Sequence, residues 1–320
     1  MENLKTVFRS LRVRTIPGTL AEGLRLPYLE ATGPIEGPVV WLTACVHGDE
    51  VGSTVIVHEV FRRLRKMGLK MGRVMAMPLM NPPGFEARKR EIPYTSEDLN
   101  RCFPGDPSGT LGLRLAHNIF SRITASNPTL VLDLHNDWIR SIPYGLLEPE
   151  ANKSTMEACK SFLQSSGLLM IQEDELVGGS LAAELVRQGI PALTLELGES
   201  HIVNETWVTH GVKSILKILF HLGMIEEQTS YEPAIELRPE ALNKPMIYSN
   251  RPFADAHGII RYQVSPGQVV RDRQLLATIS DPMGQTVGRL RATGSGVVLG
   301  HADSAVVFFG MPVLAFGMFA

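Results

Sequence analysis

Strand-like apolar runs alternate with helical patterns along residues 38–222, and this alternation limits the folds open to the chain. Continuous apolar runs of strand length lie at 38–45, 74–79, 129–134, 168–171 and 192–197. Apolar residues recur at helical spacing over 51–67, 111–123, 154–165 and 208–222. Strands that are apolar on both faces need helices packed over the sheet. The pattern therefore predicts an α/β fold with a mixed central sheet flanked by helices.

The pattern changes near residue 225. Residues 226–233 are polar and lack periodicity, which is typical of a linker. Beyond about residue 245 the apolar segments are short, and turn residues separate them; the segments are 259–264, 275–279, 296–299 and 305–309. We therefore predict an α/β domain over 1–225, a linker over 226–245 and a small all-β, barrel-like domain over 246–320.

Composition and charge exclude several classes of protein. Lys and Arg number 31 and Asp and Glu 33, a net charge of -2, so the bulk charge favours neither nucleic acid nor an anionic membrane. No apolar run is long enough to span a bilayer, and residues 1–18 lack the apolar core of a secretory signal. The 3 cysteines form no C-x-x-C pair, which excludes a Cys-rich zinc site and favours a reducing compartment. These features predict a cytoplasmic protein without nucleic-acid or membrane partners.

Residues with metal-binding chemistry follow two of the predicted strands. His47 and Glu50 stand in H-x-x-E order between a strand and a helix, and His135 directly follows the strand at 129–134. Sites in α/β proteins usually lie at the carboxyl ends of strands. Each signal alone is weak, since H-x-x-E recurs by chance and a single His after a strand is more often structural. Together they predict that His47, Glu50 and His135 bind one zinc ion per chain, leaving a fourth position for water.

Two further acids and one further histidine are candidates near the end of the strand at 192–197. Glu196 lies inside an apolar run, where a carboxylate is costly unless it is paired or functional. A glutamate beside an activated water can take its proton and pass it to a leaving amine. We predict Glu196 as this base, with Glu199 as the alternative if the strand ends early. His201 is the rival metal ligand.

A long loop without clear periodicity carries several basic residues. It contains Arg88, Lys89 and Arg90, followed by Asn100 and Arg101. Guanidinium groups bind carboxylates bidentately and stabilise oxyanions, so a small anionic substrate fits this loop. The alternative is a solvated basic loop, and for Arg88 and Lys89 taken alone that interpretation is the stronger one.

Five motifs occur together in one order: HGDE at 47–50, NPPGF at 81–85, DLNRCFPG at 98–105, DLH at 133–135 and LELG at 195–198. In this combination the chain resembles the succinylglutamate desuccinylase / aspartoacylase family, within the zinc carboxypeptidase-like fold. The resemblance implies that the domain over 1–225 is catalytic and that its zinc ligands are His47, Glu50 and His135.

The resemblance also implies roles for four other residues. Glu196 matches the general acid/base, and Arg90 matches the arginine that polarises the scissile carbonyl, with nearby Arg88 as the alternative. Asn100 and Arg101 match the pair that holds the substrate carboxylate. The function implied is zinc-dependent hydrolysis of an amide bond in a small N-acyl amino acid. A metallocarboxypeptidase acting on peptides and a non-catalytic binding protein remain the alternatives.

Two departures concern the substrate and the C-terminal segment. Asp137, two residues after His135, disfavours a doubly acidic substrate and favours one with an amine. The segment from 264 onwards resembles a biotinyl/lipoyl-type β-barrel, but no lysine follows Lys244, which excludes a covalently loaded swinging arm. A lid, a wall of the site entrance, a contact in a homo-oligomer and a packing module without chemistry all remain open roles for it.

Overall fold

A computed structural model describes residues 6–14, 25–149, 151–173, 178–227, 244–301 and 304–319. All but four residues of the linker predicted over 226–245 lie outside this part of the chain. The same holds for residues 1–5 and 15–18 of the N-terminal segment, which the sequence predicts not to be a secretory signal.

Strands β1 to β9 and six helices form the first part of the described chain. The strands are β1 Val7–Arg14, β2 Arg25–Thr32, β3 Val39–Ala44, β4 Arg73–Met77, β5 Leu130–His135, β6 Arg140–Ser141, β7 Tyr144–Leu147, β8 Leu169–Gln172 and β9 Ala192–Glu196. The helices are α1 Val51–Met67, α2 Pro82–Ala87, α3 Leu111–Thr124, α4 Lys153–Ser166, α5 Leu181–Arg187 and α6 Glu205–His221.

Eight more strands are described after residue 245. They are β10 Met246–Ser249, β11 Gly258–Tyr262, β12 Val269–Val270, β13 Leu275–Ser280, β14 Thr286–Arg291, β15 Gly296–His301, β16 Val306–Val307 and β17 Leu314–Met318. No helix within the described ranges is long and apolar enough to cross a membrane.

The central sheet is mixed and large. Its strand order is β1-β2-β4-β3-β5-β9-β7-β8-β10-β17-β15-β12, with β6 paired to β15. Strands β4, β3, β5 and β9 run parallel to one another, whereas β2 is antiparallel to β4 and β7 is antiparallel to β9. A separate antiparallel sheet has the order β14-β13-β11-β16. The predicted fold class, a mixed sheet flanked by helices with a further all-β unit, is confirmed.

Local sequence explains where the main helices begin and end. The side chains of Thr110 and Asn152 accept hydrogen bonds from backbone N–H groups in the first turns of α3 and α4, which satisfies donors that a helix start leaves free. Helix α1 ends at Gly68. Helix α6 contacts both α1 and α4, and α1 and α4 contact strands of the central sheet.

The strands after residue 245 share a core with the strands before it. One cluster of buried side chains joins Tyr144 and Leu146 of β7 and Ile171 of β8 to Val297 of β15 and Ala315 of β17. Strand β10 also pairs in parallel with β8. The C-terminal segment therefore packs directly against the strands that position the candidate site.

Candidate active site

The first two predicted metal ligands lie in the turn between β3 and α1. Glu50 immediately precedes α1, and its Oε1 lies 2.5 Å from Nδ1 of His47. Both residues are buried. A Cβ on Gly48 would lie 1.9 Å from the carbonyl carbon of Gly84 in α2. The glycine between His47 and Glu50 is therefore needed because this turn packs directly against another backbone segment.

The third predicted ligand, His135, ends strand β5. Because β3 and β5 are parallel neighbours, with Ala44 opposite Leu134, both strands deliver their following residues to the same edge of the sheet. Nδ1 of His135 lies 3.0 Å from Oε2 of Glu50. One ligand atom from each of His47, Glu50 and His135 lies within 4.8 Å of the others. The structure thus brings the three residues together, as the sequence predicts.

In each histidine, the ring nitrogen that does not face Glu50 forms a hydrogen bond with an aspartate. Nε2 of His47 is 3.2 Å from Oδ1 of Asp98, and Nε2 of His135 is 3.0 Å from Oδ2 of Asp133. The Thr43 hydroxyl in turn donates to Oδ1 of Asp133 at 2.7 Å. Each Nε2–H therefore has an acceptor, which leaves each Nδ1 to face Glu50. Metal-binding histidines are commonly oriented by such carboxylates.

The charge of the cluster suits a cation. Burial alone would raise the pKa of Glu50, but His47 and His135 overcome burial and hold that pKa well below its usual range. Burial alone would lower the pKa of His135, but the carboxylates of Glu50 and Asp133 hold it well above its usual range. An ionised, buried carboxylate between two oriented imidazoles matches the His₂Glu donor set of catalytic zinc sites, so the residues present fit this metal.

Arg90 lies beside the cluster, and Arg88 does not. Nε and Nη2 of Arg90 donate to Oδ2 of Asp98 at 3.1 and 2.9 Å. Its Nη1 lies 3.3 Å from Nδ1 of His47 and 4.0 Å from Oε1 of Glu50. Arg88 instead ends α2 in the left-handed conformation, with φ 54, and is exposed. The placement favours Arg90 over Arg88 as the residue near a reacting carbonyl.

Asn100 and Arg101 occupy a short 3₁₀ turn, Leu99–Arg101, directly after Asp98. The Asn100 side-chain oxygen accepts a hydrogen bond from the Leu181 backbone N–H at the start of α5, 3.0 Å away. Its amide NH₂ is therefore the part of the side chain that can donate to a ligand. Nη1 of Arg101 donates to the Asn100 carbonyl at 2.7 Å. Both residues face the same cavity as the metal cluster.

Glu196 ends β9 and lies opposite His135 in the parallel ladder. Its Oε2 is buried and has no hydrogen-bond partner within the described ranges. Burial raises the pKa of Glu196 well above its usual range, and the charges of Asp137 and Glu50 raise it further against His135. A carboxyl group with a raised pKa and no structural ion pair at that oxygen suits proton transfer.

The two alternatives considered with Glu196 lie elsewhere. Glu199 accepts a hydrogen bond from the Asn204 side chain at 3.2 Å, which gives it a role at the start of α6. His201 is about half exposed, and its Nε2 lies 3.6 Å from Oδ2 of Asp49. Among the described residues, the metal-binding geometry is found only for His47, Glu50 and His135.

One cavity of about 340 Å³ joins the metal cluster to Glu196, Arg90, Asn100 and Arg101. It is lined by the seven predicted site residues and by Asp49, Asn136, Asp137, Trp138, Leu146, Glu148, Glu173, Ser180, Thr194 and Ser200. Its lining therefore combines two arginines with several carboxylates outside the metal cluster. Asp137, the residue predicted to favour an amine, lines the cavity and accepts a 2.5 Å hydrogen bond from the Tyr144 hydroxyl.

Sequence reasoning missed four functional candidates. Asp133 could have been found, because residues i and i+2 of a strand share a face and Asp133 precedes His135 by two. Asp98 pairs with a histidine 51 positions away, and no local spacing signals such a contact. Glu148 and Glu173 each follow a strand of only four residues, too short for a clear pattern.

Comparison with known proteins decides the family. Residues 36–222 match the Succinylglutamate desuccinylase/Aspartoacylase catalytic domain. The chain belongs to this family. Its members are hydrolytic deacylases, which supports amide hydrolysis as the class of reaction. The chain is also 28% identical over 289 residues to N-alpha-acetyl-L-2,4-diaminobutyric acid deacetylase of Halomonas elongata, covering 86% of this chain and 80% of that protein.

Solved structures show the same fold. The product-bound ectoine utilization protein of Ruegeria pomeroyi matches with a TM-score of 0.80 at 22% identity, covering 98% of this chain and 96% of that chain. A succinylglutamate desuccinylase/aspartoacylase of Rhodobacter sphaeroides matches with a TM-score of 0.81 at 23% identity, covering 99% and 97%. A metallo-carboxypeptidase of Burkholderia cenocepacia matches with a TM-score of 0.55 at 18% identity, covering 69% and 66%. This chain therefore has a carboxypeptidase-like fold.

Proposed function

We propose that this family member is a zinc-dependent deacylase of small N-acyl amino acids. The observation that carries the proposal is the buried cluster of His47, Glu50 and His135 in one cavity with Glu196 and the Asn100–Arg101 pair. When bound, zinc supplies Lewis acidity, which lowers the pKa of a coordinated water and polarises an amide carbonyl. The remaining chemistry belongs to side chains of this chain.

Glu196 is the proton carrier in this proposal. Its carboxylate takes a proton from the attacking water and returns it to the nitrogen of the leaving amine as the amide bond breaks. Burial keeps the pKa of Glu196 high, so the protonated form is accessible between the two transfers. Arg90 directs its guanidinium towards the cluster and stabilises the negative charge that develops on the carbonyl oxygen.

Asn100 and Arg101 anchor the substrate carboxylate. The Asn100 amide NH₂ and the Arg101 guanidinium are both donors, and both face the cavity. A carboxylate held by an amide and a guanidinium orients the scissile bond relative to Glu196. This anchor selects amides whose leaving amine is an amino acid.

We further propose that the leaving amino acid carries a side-chain amine. Glu148 and Glu173 directly follow the parallel neighbours β7 and β8, and the Glu173 N–H donates to the Leu147 carbonyl at 3.2 Å. Because β7 runs antiparallel to β9, with Tyr144 opposite Glu196, its carboxyl end points away from Glu196. Two carboxylates at this end of the cavity attract an ammonium group and repel an acidic side chain. The substrate named for the Halomonas relative carries such an amine.

A matched substrate series tests the proposal. The zinc-loaded protein is given N-alpha-acetyl derivatives of 2,4-diaminobutyrate, of neutral 2-aminobutyrate and of aspartate, and amine release is measured beside metal content. We expect the diamino substrate to have the highest kcat/KM. Glu148→Gln should lower that value about tenfold, the scale of one lost charge-assisted contact, and leave the neutral substrate unchanged.

Exposed Glu157 on α4 provides the control substitution, Glu157→Gln, which should change neither value. No amine release from any N-acetyl amino acid would overturn the proposed function. Faster release of C-terminal residues from peptides would support the carboxypeptidase alternative instead.

A further inference from the structure

Trp138 forms a wall of the cavity in an unusual backbone conformation. It lies three residues beyond His135 and lines the cavity. Its φ is 56, in the left-handed region that a bulky residue rarely adopts. Strained conformations persist where the surrounding structure enforces them, and they cluster at functional sites. The Ser200 N–H and hydroxyl both bond the Trp138 carbonyl, at 2.8 and 3.0 Å, which helps to hold it there.

The C-terminal segment seats the Trp138 ring. Strand β15 pairs with β6 just after Trp138, with Gly300 opposite Ser141. A Cβ on Gly300 would lie 2.4 Å from Cδ1 and 2.9 Å from Cγ of the Trp138 indole. The indole also packs against both clusters of buried side chains that the C-terminal strands form. The absence of a side chain at Gly300 is therefore what lets the indole lie against β15.

Trp138 and the proposed amino acid subsite follow different strands: Trp138 comes after β5, and Glu148 and Glu173 come after β7 and β8. Trp138 follows the carboxyl end of β5, beyond His135. Leu146 pairs with Thr194, two residues back along β9 from Glu196, and both line the cavity. Asn100 bonds the start of α5, a helix that packs on β5 and β9. With the amino acid side chain placed at Glu148 and Glu173, the Trp138 wall of the same cavity is available to contact the acyl group.

We propose that Trp138, seated by Gly300 of the C-terminal segment, limits the length of the acyl group to that of acetyl or a similarly short chain. This inference rests on the proposed deacylase function. It gives the C-terminal segment a direct part in substrate selection, because β15 sets the position of a cavity wall. Trp138 is the specificity-determining residue, and Gly300 is a positioning residue that acts through it.

The test compares N-acetyl and N-hexanoyl forms of the same diamino acid with zinc-loaded variants. Trp138→Ala should raise the hexanoyl-to-acetyl ratio of kcat/KM at least tenfold, since pocket size discriminates by about 10- to 200-fold. Gly300→Ala should lower kcat/KM for the acetyl substrate about tenfold in the natural background and have little effect in the Trp138→Ala background. Zinc content should stay at one per chain in every variant.

Gly294→Ala is the matched control, because its added Cβ meets only the flexible end of Met318, at 2.4 Å from Cε. It should leave both substrates unaffected. Trp138→Phe provides a milder variant if Trp138→Ala does not fold. An unchanged ratio in a folded Trp138 variant, with wild-type deacylation intact, would overturn this inference alone. Absence of deacylation by the wild type would overturn the proposed function and this inference with it.

Discussion

Glu196 is the residue on which the proposed reaction depends most. Glu196→Gln keeps the shape of the side chain but removes the ability to carry a proton. We expect kcat to fall by about 10²- to 10⁴-fold, the usual contribution of a general acid/base. Zinc content should be unchanged, because Glu196 is not one of the three clustered ligands.

The matched substitution for Glu196 is Glu199→Gln, which alters an acid three residues away whose partner is Asn204. It should retain most of the activity. Rates for the two variants are measured in zinc-loaded protein of known metal content. Wild-type turnover by Glu196→Gln would show that the proton carrier has been assigned wrongly.

Asp133 should control zinc affinity without binding zinc. Its side chain is almost fully buried. It forms a hydrogen bond with Nε2 of His135 and accepts another from the Thr43 hydroxyl. Asp133→Asn removes the charge that orients and polarises the imidazole, so zinc affinity should fall about 10- to 100-fold. Competition with a chromophoric chelator measures the change. The exposed Asp106→Asn is the control, and equal affinities for the two variants would contradict this role for Asp133.

At the scale of elements, the turn between β3 and α1 is the most constrained. An added Cβ at Gly48 would meet the backbone of α2, with 2.2 Å to the Phe85 nitrogen. Backbone cannot move aside as a side-chain end can, so Gly48→Ala should lower the free energy of unfolding by about 1–3 kcal/mol or more.

Urea unfolding of the zinc-free protein isolates this packing effect from metal binding. Gly178→Ala is the control, because no atom of the described residues lies within 4 Å of its added Cβ. We expect its unfolding midpoint to match that of the wild type. If the urea unfolding midpoint of Gly48→Ala were as high as that of Gly178→Ala, the turn would not pack tightly against α2.

Helical periodicity was the strongest predictor of these elements. Helix α1 has the bounds that its apolar spacing predicts, and α3 differs by one residue at its end. Helices α2 and α5, with 6 and 7 residues, are too short to repeat a pattern and were not predicted. The three clustered ligands could be predicted because they lie at or just beyond the ends of recognisable strands. The contact of Asp98 with His47 could not, because it depends on how a long loop folds over the sheet.

At the scale of the whole molecule, His301 links stability to pH. Burial lowers the pKa of His301 to about 4, and Arg140 lowers it further against a hydrogen bond to the Val264 backbone. The unfolded chain takes up this proton near pH 6.5. The contribution of His301 to stability is therefore complete above about pH 6.5 and is lost as the pH falls towards 4.

The loss attributable to His301 amounts to at most about 3 kcal/mol. His301→Gln does not titrate, so its free energy of unfolding should fall less than that of the wild type between pH 7 and pH 4. Urea titrations at both values measure the difference. Parallel loss of stability in the two proteins would exclude His301 as a source of the pH dependence.

The large sheet shows why the C-terminal segment was hard to interpret from sequence. Short apolar segments predicted an all-β unit, and the antiparallel sheet of β14, β13, β11 and β16 agrees. Strands β10, β17, β15 and β12 instead extend the central sheet. Pairings such as that of β15 with β6 join residues about 160 positions apart, and such pairings depend on the folded sheet rather than on local pattern. The role proposed for this segment therefore rests on the contact of Gly300 with Trp138.

Zinc titration of metal-free protein tests the central claim most directly. Chelated protein is reloaded stepwise while deacylation of N-alpha-acetyl-2,4-diaminobutyrate is measured in the same sample. We expect activity to rise in proportion to bound zinc and to reach its maximum at one zinc per chain. Glu50→Gln, which lacks the charged ligand, should neither retain zinc nor recover activity. Full activity in the chelated protein, or in Glu50→Gln without zinc, would contradict the account.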